Sequence, residues 1–364
     1  MPDTATEPAR RIARVIRTAW RSSPDVPALE ALDNLEDLAP RLLDGGCGGL
    51  AWWAIRETSC SQLPGAASLH QSFRLHAIQA AHHARVLEQV LVRFNQAGLE
   101  PLLFKGWTLA RLYAHPALRP YGDIDLLVAP GDESAARSVL AGLPDSHRAA
   151  VDLDMRVLDR FLPDRSFGTL ADRSEVIQIG EARCRVLPAE DHLRLVCLHQ
   201  LDHAGWRPLW LCDVAALLEG ARTGFRWDVC LSGNARLSEA VLSLVMLAEE
   251  LLGARPPPDT PKTSVPGWFR RSISRAWAGG YRAPPASLYT LHRLGWRGAF
   301  AALLERWPDP LTATLHLRAP MRGIPRLALQ ATECIRRALL FLHRTWREAI
   351  LAPASPVAPG QGAL

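Results

Sequence analysis

The stretch Pro101–Pro130, PLLFKGWTLARLYAHPALRPYGDIDLLVAP, decides how this chain folds and what it can do. Asp123 and Asp125 lie one residue apart in an apolar run that is typical of a strand, where residues i and i+2 project from the same face. Two like charges on one face are costly unless a positive group lies between them. A hard divalent cation such as Mg²⁺, held by carboxylates and substrate phosphates, meets this need. The pair therefore indicates a metal site.

Upstream of the pair, Lys105 and Gly106 suit a phosphate-binding turn. Gly106 would let the backbone approach a phosphate, and the N–H groups that open a helix predicted over 106–113 would face it. Only two of the 42 basic residues are lysines, at 105 and at Lys262. A lysine in so arginine-rich a chain indicates that position 105 needs a compact point charge. We expect Lys105 and Arg119 to bring positive charge to a triphosphate.

A further carboxylate follows on a later predicted strand. The segment 148–157 alternates, with apolar side chains on one face and Asp152 and Asp154 on the other. If this strand neighbours the first, three carboxylates converge, as two-metal phosphoryl transfer requires. We favour Asp152 as the third ligand, with Asp154 as the alternative. The same residue would act as general base toward an acceptor hydroxyl.

The succession of patterns predicts an α+β protein, with a small mixed sheet and extensive helical regions before and after it. Short strands joined by helices, ending in a hairpin over 175–187, are flanked by helical spacing on both sides. We expect six segments: an N-terminal helical region (1–98), an α/β core (99–187), a helical domain that completes a cleft (188–254), a Pro-rich linker (255–266), a C-terminal helical region (267–351) and a disordered tail (352–364).

Composition limits the class of protein. The 364 residues, 48% hydrophobic and 22% charged, are typical of a globular chain with a substantial core. The net charge of +5 fits an anionic substrate only weakly, because the basic residues are dispersed. Seven scattered cysteines without a CxxC motif indicate reduced core thiols. Without an apolar signal segment or a membrane-spanning run, we expect a cytoplasmic protein with no membrane partner.

Three motifs carry a family resemblance. In this order and spacing, FKGWTLARLY, PALRPYGDIDLLV and VDLDMRV resemble the uncharacterised nucleotidyltransferase family of the polymerase-β-like superfamily. The similarity continues through residues 187–218 and covers roughly 60–255. It implies a polymerase-β-like nucleotidyltransferase core over residues 99–187. It also implies the following site residues: the metal ligands Asp123, Asp125 and Asp152, and the phosphate-binding residues Lys105, Gly106 and Trp107.

Two positions depart from the family pattern. Trp107 stands where the superfamily turn usually has a small residue. Asp154 stands where the family tends to have histidine on the later strand, which keeps the choice between Asp152 and Asp154 open.

His199 and His203 form an H-x-x-x-H pattern on a predicted helix. Three interpretations stay open. The two histidines contact nucleotide in the cleft, where His203 would be the binding residue; or they form a structural pair; or they bind zinc. Gln200 occupies the place of the glutamate in H-E-x-x-H, which weakens the zinc interpretation. Asp213, on an apolar helix, is expected to bond to His203 or to a basic residue.

Together these features predict metal-dependent transfer of a nucleoside monophosphate from an NTP, ATP among the candidates, to an acceptor hydroxyl. Two Mg²⁺ ions would assist, and pyrophosphate would leave. The acceptor is open among a small molecule such as an antibiotic or a sugar, a peptide, a protein and RNA. The alternative is a catalytically inactive protein of the same fold that binds nucleotide or a partner. The three intact carboxylates argue against this alternative.

Overall fold

A computed structural model describes residues 7–221, 224–280 and 306–351, and the expected tail over 352–364 lies outside these residues. Five short strands form one mixed sheet, as predicted. The strands are β1 (Leu102–Phe104), β2 (Ile124–Leu127), β3 (Val151–Leu153), β4 (Glu175–Ile179) and β5 (Ala182–Val186).

The order of strands across the sheet is β3-β2-β1-β5-β4. β1 pairs antiparallel with β2 and parallel with β5, and β2 pairs parallel with β3. β4 and β5 form the predicted antiparallel hairpin, turning at Gly180, whose φ of +56° suits glycine. The central strand β1 therefore lies between β2, the strand of the aspartate pair, and β5 of the hairpin.

Helices precede the sheet, connect its strands and follow it. Those before the sheet are α1 (Glu7–Val15), α2 (Leu29–Leu32), α3 (Leu35–Asp44), α4 (Gly48–Ile55) and α5 (Ala66–Gln96). Those between its strands are α6 (Gly106–Ala110), α7 (Glu133–Ala141), α8 (Asp145–Ala149), α9 (Val157–Phe161) and α10 (Phe167–Arg173). Those after it are α11 (Ala189–Asp202), α12 (Pro208–Gly220), α13 (Trp227–Cys230), α14 (Ala235–Leu252), α15 (Gly267–Gly279), α16 (Pro310–His316) and α17 (Arg326–Leu351).

The two faces of the sheet contact different cores. Leu103, Ile124 and Leu126 pack with α5 and α7 on one face. Leu102 and Leu127 face the opposite way, into a larger core that joins the N-terminal helices to α11, α12 and α14. Because strand residues alternate between faces, Asp125 projects toward this helical side of the sheet.

Two predicted elements are shorter in the structure. The strand expected over 148–157 pairs only at Val151–Leu153, because α8 ends at Ala149 and the chain turns into α9 at Val157. The helix expected over 106–113 ends at Ala110. Alternation of side chains marks a face but does not fix how far the backbone pairs.

The Pro-rich segment 255–266 contains no helix or strand. It is nevertheless packed, since Thr260 is buried. The division into six segments stays a prediction. No helix among the described residues is long and apolar enough to cross a membrane.

Candidate active site

Three carboxylates meet where β2 and β3 run side by side. Asp125 is the register partner of Asp152 in the parallel pair, and Asp123 directly precedes β2. One carboxylate oxygen from each of the three lies within 4.8 Å of the others. Asp123 and Asp152 are exposed, whereas Asp125 is buried. Within the described residues, this is the only group of three acidic, histidine or cysteine side chains close enough to share a metal ion.

Asp125 bears most of the electrostatic cost of this cluster. Burial raises the pKa of its carboxyl to about 6, against the lowering effect of Lys105 and with a further rise from Asp123. Lys105 Nζ lies 3.0 Å from Asp125 Oδ1. Burial and then the neighbouring carboxylates also raise the pKa of Asp152. Three carboxylates beside one ammonium group leave excess negative charge, and their all-oxygen donor set fits Mg²⁺ or Mn²⁺.

Asp154 takes a different role from Asp152. Its backbone N–H donates to the Leu126 carbonyl at 3.1 Å, and its Oδ1 accepts the backbone N–H of Arg156 at 3.0 Å. The carboxylate therefore caps the turn after β3. The geometry groups Asp152, and not Asp154, with the aspartate pair.

The turn between β1 and α6 has an unusual backbone. Lys105 has a φ of +50° and Gly106 a φ of +25°. A Cβ on Gly106 would lie 3.0 Å from the Asp123 carbonyl oxygen, so glycine allows the turn to approach the loop before β2. Trp107, where a small residue was expected, is half-buried and packs at the edge of the α5-side core. Its side chain thus contributes to packing.

Arg119 is buried and bonded to Asp213. Its Nε and Nη2 donate to the two carboxylate oxygens at 3.1 and 2.9 Å, and Tyr113 Oη donates to Oδ1 at 2.7 Å. Burial alone would lower the pKa of Arg119, but Asp213 outweighs it and the pKa is raised. Asp213 thus bonds to a basic residue, one of the two expected partners. Contact between Arg119 and a triphosphate stays a prediction.

The end of α11 and the start of α12 form an aromatic wall, made of His199, His203 and Trp210. The two imidazole centroids are 4.6 Å apart, and they lie 5.2 and 5.5 Å from the Trp210 ring. Burial lowers the pKa of both histidines, and the Lys105 charge lowers both further. The wall therefore carries neutral rings at neutral pH. Neither histidine belongs to a metal-binding group within the described residues.

Two residues near the site were not predicted from the sequence. His192, buried in the first turn of α11, accepts the Lys105 backbone N–H at its Nε2, at 3.0 Å. Arg207 lies beside Trp210, its guanidinium carbon 6.0 Å from the ring centroid. Burial and the Arg119 charge lower the Arg207 pKa, and its buried Nε has no hydrogen-bond partner in the described parts of the chain. His192 is one of several polar residues on α11, so the sequence pattern did not single it out.

The fold and the position of the carboxylates on β2 and β3 are consistent with a nucleotidyltransferase core flanked by helices. The chain belongs to the family of uncharacterised nucleotidyltransferases, which matches it over residues 43–253, more than half of its length. The resemblance in the motifs is thereby confirmed, and the match begins further upstream than the motifs indicated. No curated protein and no solved structure matches the chain.

Proposed function

We propose that this protein transfers a nucleoside monophosphate from an NTP to an acceptor hydroxyl in a metal-dependent reaction. The observation that carries the proposal is the register of β2 and β3, which sets Asp125 beside Asp152 and brings Asp123 within 4.8 Å of both. Carboxylates on neighbouring strands, next to a Lys-Gly turn, are the arrangement that phosphoryl transfer requires.

Each part of the site has a role in this reaction. Asp123, Asp125 and Asp152 would hold two divalent ions, which, when bound, neutralise phosphate charge and make the acceptor hydroxyl more acidic. Lys105 and the backbone at Gly106 bind the triphosphate. The acceptor oxygen bonds to the α-phosphorus while the bond from that phosphorus to the bridging oxygen breaks. Asp152 accepts the hydroxyl proton, and pyrophosphate leaves.

The aromatic wall is the proposed contact for the nucleoside. His203 is exposed at the end of α11, and its ring lies 5.5 Å from Trp210. Neutral aromatic rings offer flat faces against which a nucleobase can stack. Lys105, whose charge acts on both histidines, links this wall to the phosphate side of the site.

The acceptor has its own approach, through an open cleft of about 940 Å³ on the β3 side of the site. Asp152 lies in its wall. The other charged lining residues are Glu133, Arg137, Asp154, Arg156, Asp159 and Arg160. Acidic and basic groups alternate there, so we propose a polar acceptor. Its class stays open among a small molecule, a peptide, a protein and RNA.

The first prediction tests the metal site with Asp123→Asn and Asp152→Asn, and with Asp154→Asn as the matched control. We expect calorimetry to detect NTP binding to the wild type only with Mg²⁺. Asp123→Asn should weaken this binding by more than about tenfold, because the metal site loses one negatively charged carboxylate ligand. Asp152→Asn should abolish pyrophosphate release in an assay of the four NTPs with candidate acceptors.

Asp154→Asn should keep NTP binding and retain far more pyrophosphate release than Asp152→Asn, because the amide oxygen of the substituted side chain can still accept the Arg156 N–H that caps the turn after β3. Equal loss in Asp152→Asn and Asp154→Asn would contradict the assignment of the third carboxylate. Mg²⁺-dependent binding by the wild type without pyrophosphate release for any acceptor would favour the alternative, an inactive nucleotide-binding protein on this fold.

A further inference from the structure

The phosphate-binding turn proposed above has a strained backbone at Lys105. Lys105 has a φ of +50° and a ψ of −138°, a combination that residues with a Cβ rarely adopt. Such a conformation is strained and persists only where surrounding contacts enforce it. The hydrogen-bond partner of the Lys105 backbone N–H is therefore one of the contacts that can hold the turn in this conformation.

That partner is a side chain of α11. His192 Nε2 accepts the Lys105 N–H at 3.0 Å, across 87 positions of sequence. The imidazole is 2% exposed, so the hydrogen bond is shielded from water in the folded protein. To accept at Nε2, the neutral ring must carry its proton on Nδ1.

The charges around the ring keep it in this form. Burial, followed by the charges of Arg119, Arg111 and Lys105, lowers the pKa of His192 to about 3. A protonated imidazole here would face three cations and would have no lone pair to offer to the turn. A neutral hydrogen-bond acceptor is the form that these surroundings favour.

We propose that His192 is a positioning residue for nucleotide binding: its Nε2 fixes the Lys105 backbone, and thereby directs Lys105 Nζ at Asp125 and the Gly106 backbone at the phosphates. The inference rests on the proposed function. It adds that α11 contributes to the phosphate-binding turn as well as to the wall opposite it. This hydrogen bond directly joins the turn after β1 to α11.

The test compares two amide substitutions. His192→Gln places an amide group near the position of Nε2, whereas the shorter His192→Asn places it near Nδ1, out of reach of Lys105. Both variants keep a polar side chain of similar burial, so a difference between them reports the position of the acceptor. We expect His192→Gln to keep NTP affinity within about threefold of wild type and His192→Asn to lose about tenfold or more.

Hydrogen exchange of the peptide that contains Lys105 gives a readout independent of nucleotide. We expect its amides to exchange about tenfold faster in His192→Asn than in His192→Gln, at equal melting temperatures. Gln200→Met, on the same helix, is the control. Gln200 is buried, and neither amide atom has a hydrogen-bond partner in the parts of the chain described. This variant should leave both readouts unchanged.

The outcomes separate the two proposals. If wild type binds no NTP with Mg²⁺, the proposed function fails. Hydrogen exchange at Lys105 still shows whether His192 holds the Lys105 backbone in place. Equal exchange and equal affinity in the Gln and Asn variants would overturn the inference. If either variant unfolds, the exchange of wild-type Lys105 decides instead: a rate as fast as that of an open loop would exclude a held turn.

Discussion

At Gly106, two separate constraints act on one residue. Its φ is +25°, and a Cβ would lie 3.0 Å from a backbone carbonyl that cannot move without displacing Asp123. Gly106→Ala should therefore destabilise the fold by about 1–3 kcal/mol in urea unfolding. Gly122→Ala is the matched control: it lies in the same region, with no atom within 4 Å of the added Cβ. An equal effect of both substitutions would show that the close approach to Asp123 does not constrain Gly106.

Single residues also show what the sequence can and cannot predict. The grouping of Asp123 and Asp125 with a later aspartate followed from the two-residue period of strands, and the structure brings Asp152 to them. The choice against Asp154 depended on where β3 ends, which alternation does not encode. His192 could not be predicted, because its partner is a backbone N–H 87 residues away and leaves no local pattern.

At the scale of elements, the Arg119–Asp213 pair joins the loop before β2 to α12. Both side chains are buried, and Tyr113 shares the same carboxylate. Asp213→Ala would leave a buried guanidinium without its counter-charge, so we expect a loss of about 3–5 kcal/mol in the free energy of unfolding.

Tyr113→Phe removes one hydrogen bond and should cost about 1 kcal/mol. The double variant Arg119→Met/Asp213→Leu, which removes both charges, should be more stable than Asp213→Ala alone. If the double variant were less stable than Asp213→Ala, the Arg119–Asp213 pair would stabilise the fold by more than the neutralisation of each charge by the other.

The types of the elements were more predictable than their lengths. The hairpin of β4 and β5, expected over 175–187, spans Glu175–Val186 in the structure. β3 and α6 are shorter than their patterns indicated: β3 pairs with β2 only over Val151–Leu153, and α6 ends at Ala110.

Across the whole molecule, a buried ionic cluster ties the C-terminal helices to α11. His316 on α16 contacts Asp202 through Nε2 and Glu333 of α17 through Nδ1, each at 2.8 Å. The bond to Asp202 raises the His316 pKa, in spite of burial. Burial alone would raise the Glu333 pKa, but its bonds to Arg336, His316 and Arg337 lower it to about 2.

These shifts define a pH dependence of stability. A raised histidine pKa stabilises the fold below the ordinary value of 6.5, and this contribution is lost as pH rises through the raised pKa. Glu333, with its lowered pKa, contributes above its ordinary value of 4.5 and loses this contribution as pH falls toward 2. The cluster is therefore most stabilising between these two ordinary values.

His316→Gln should accordingly cost about 1–3 kcal/mol at pH 5.5 and clearly less at pH 9, as measured by urea unfolding at both pH values. His343→Gln, at an exposed position on α17, should have no such pH-dependent effect. A cost for His316→Gln that grew with pH would contradict the assigned charge state. No sequence pattern pointed to this cluster, because its members come from three helices.

Because β3 lies at the edge of the sheet, sequence changes around it can be accommodated more easily than changes in the interior strands. β3 has only three residues and one neighbouring strand, and it carries Asp152 between two short helices, α8 and α9. Asp123, Asp125 and Lys105, in contrast, belong to the interior strands and their adjoining turns. Insertions or exchanges in the segment that carries β3 would thus reshape what approaches Asp152 while sparing the nucleotide side. Under the proposed function, such changes would alter the choice of acceptor while the nucleotide donor stays the same.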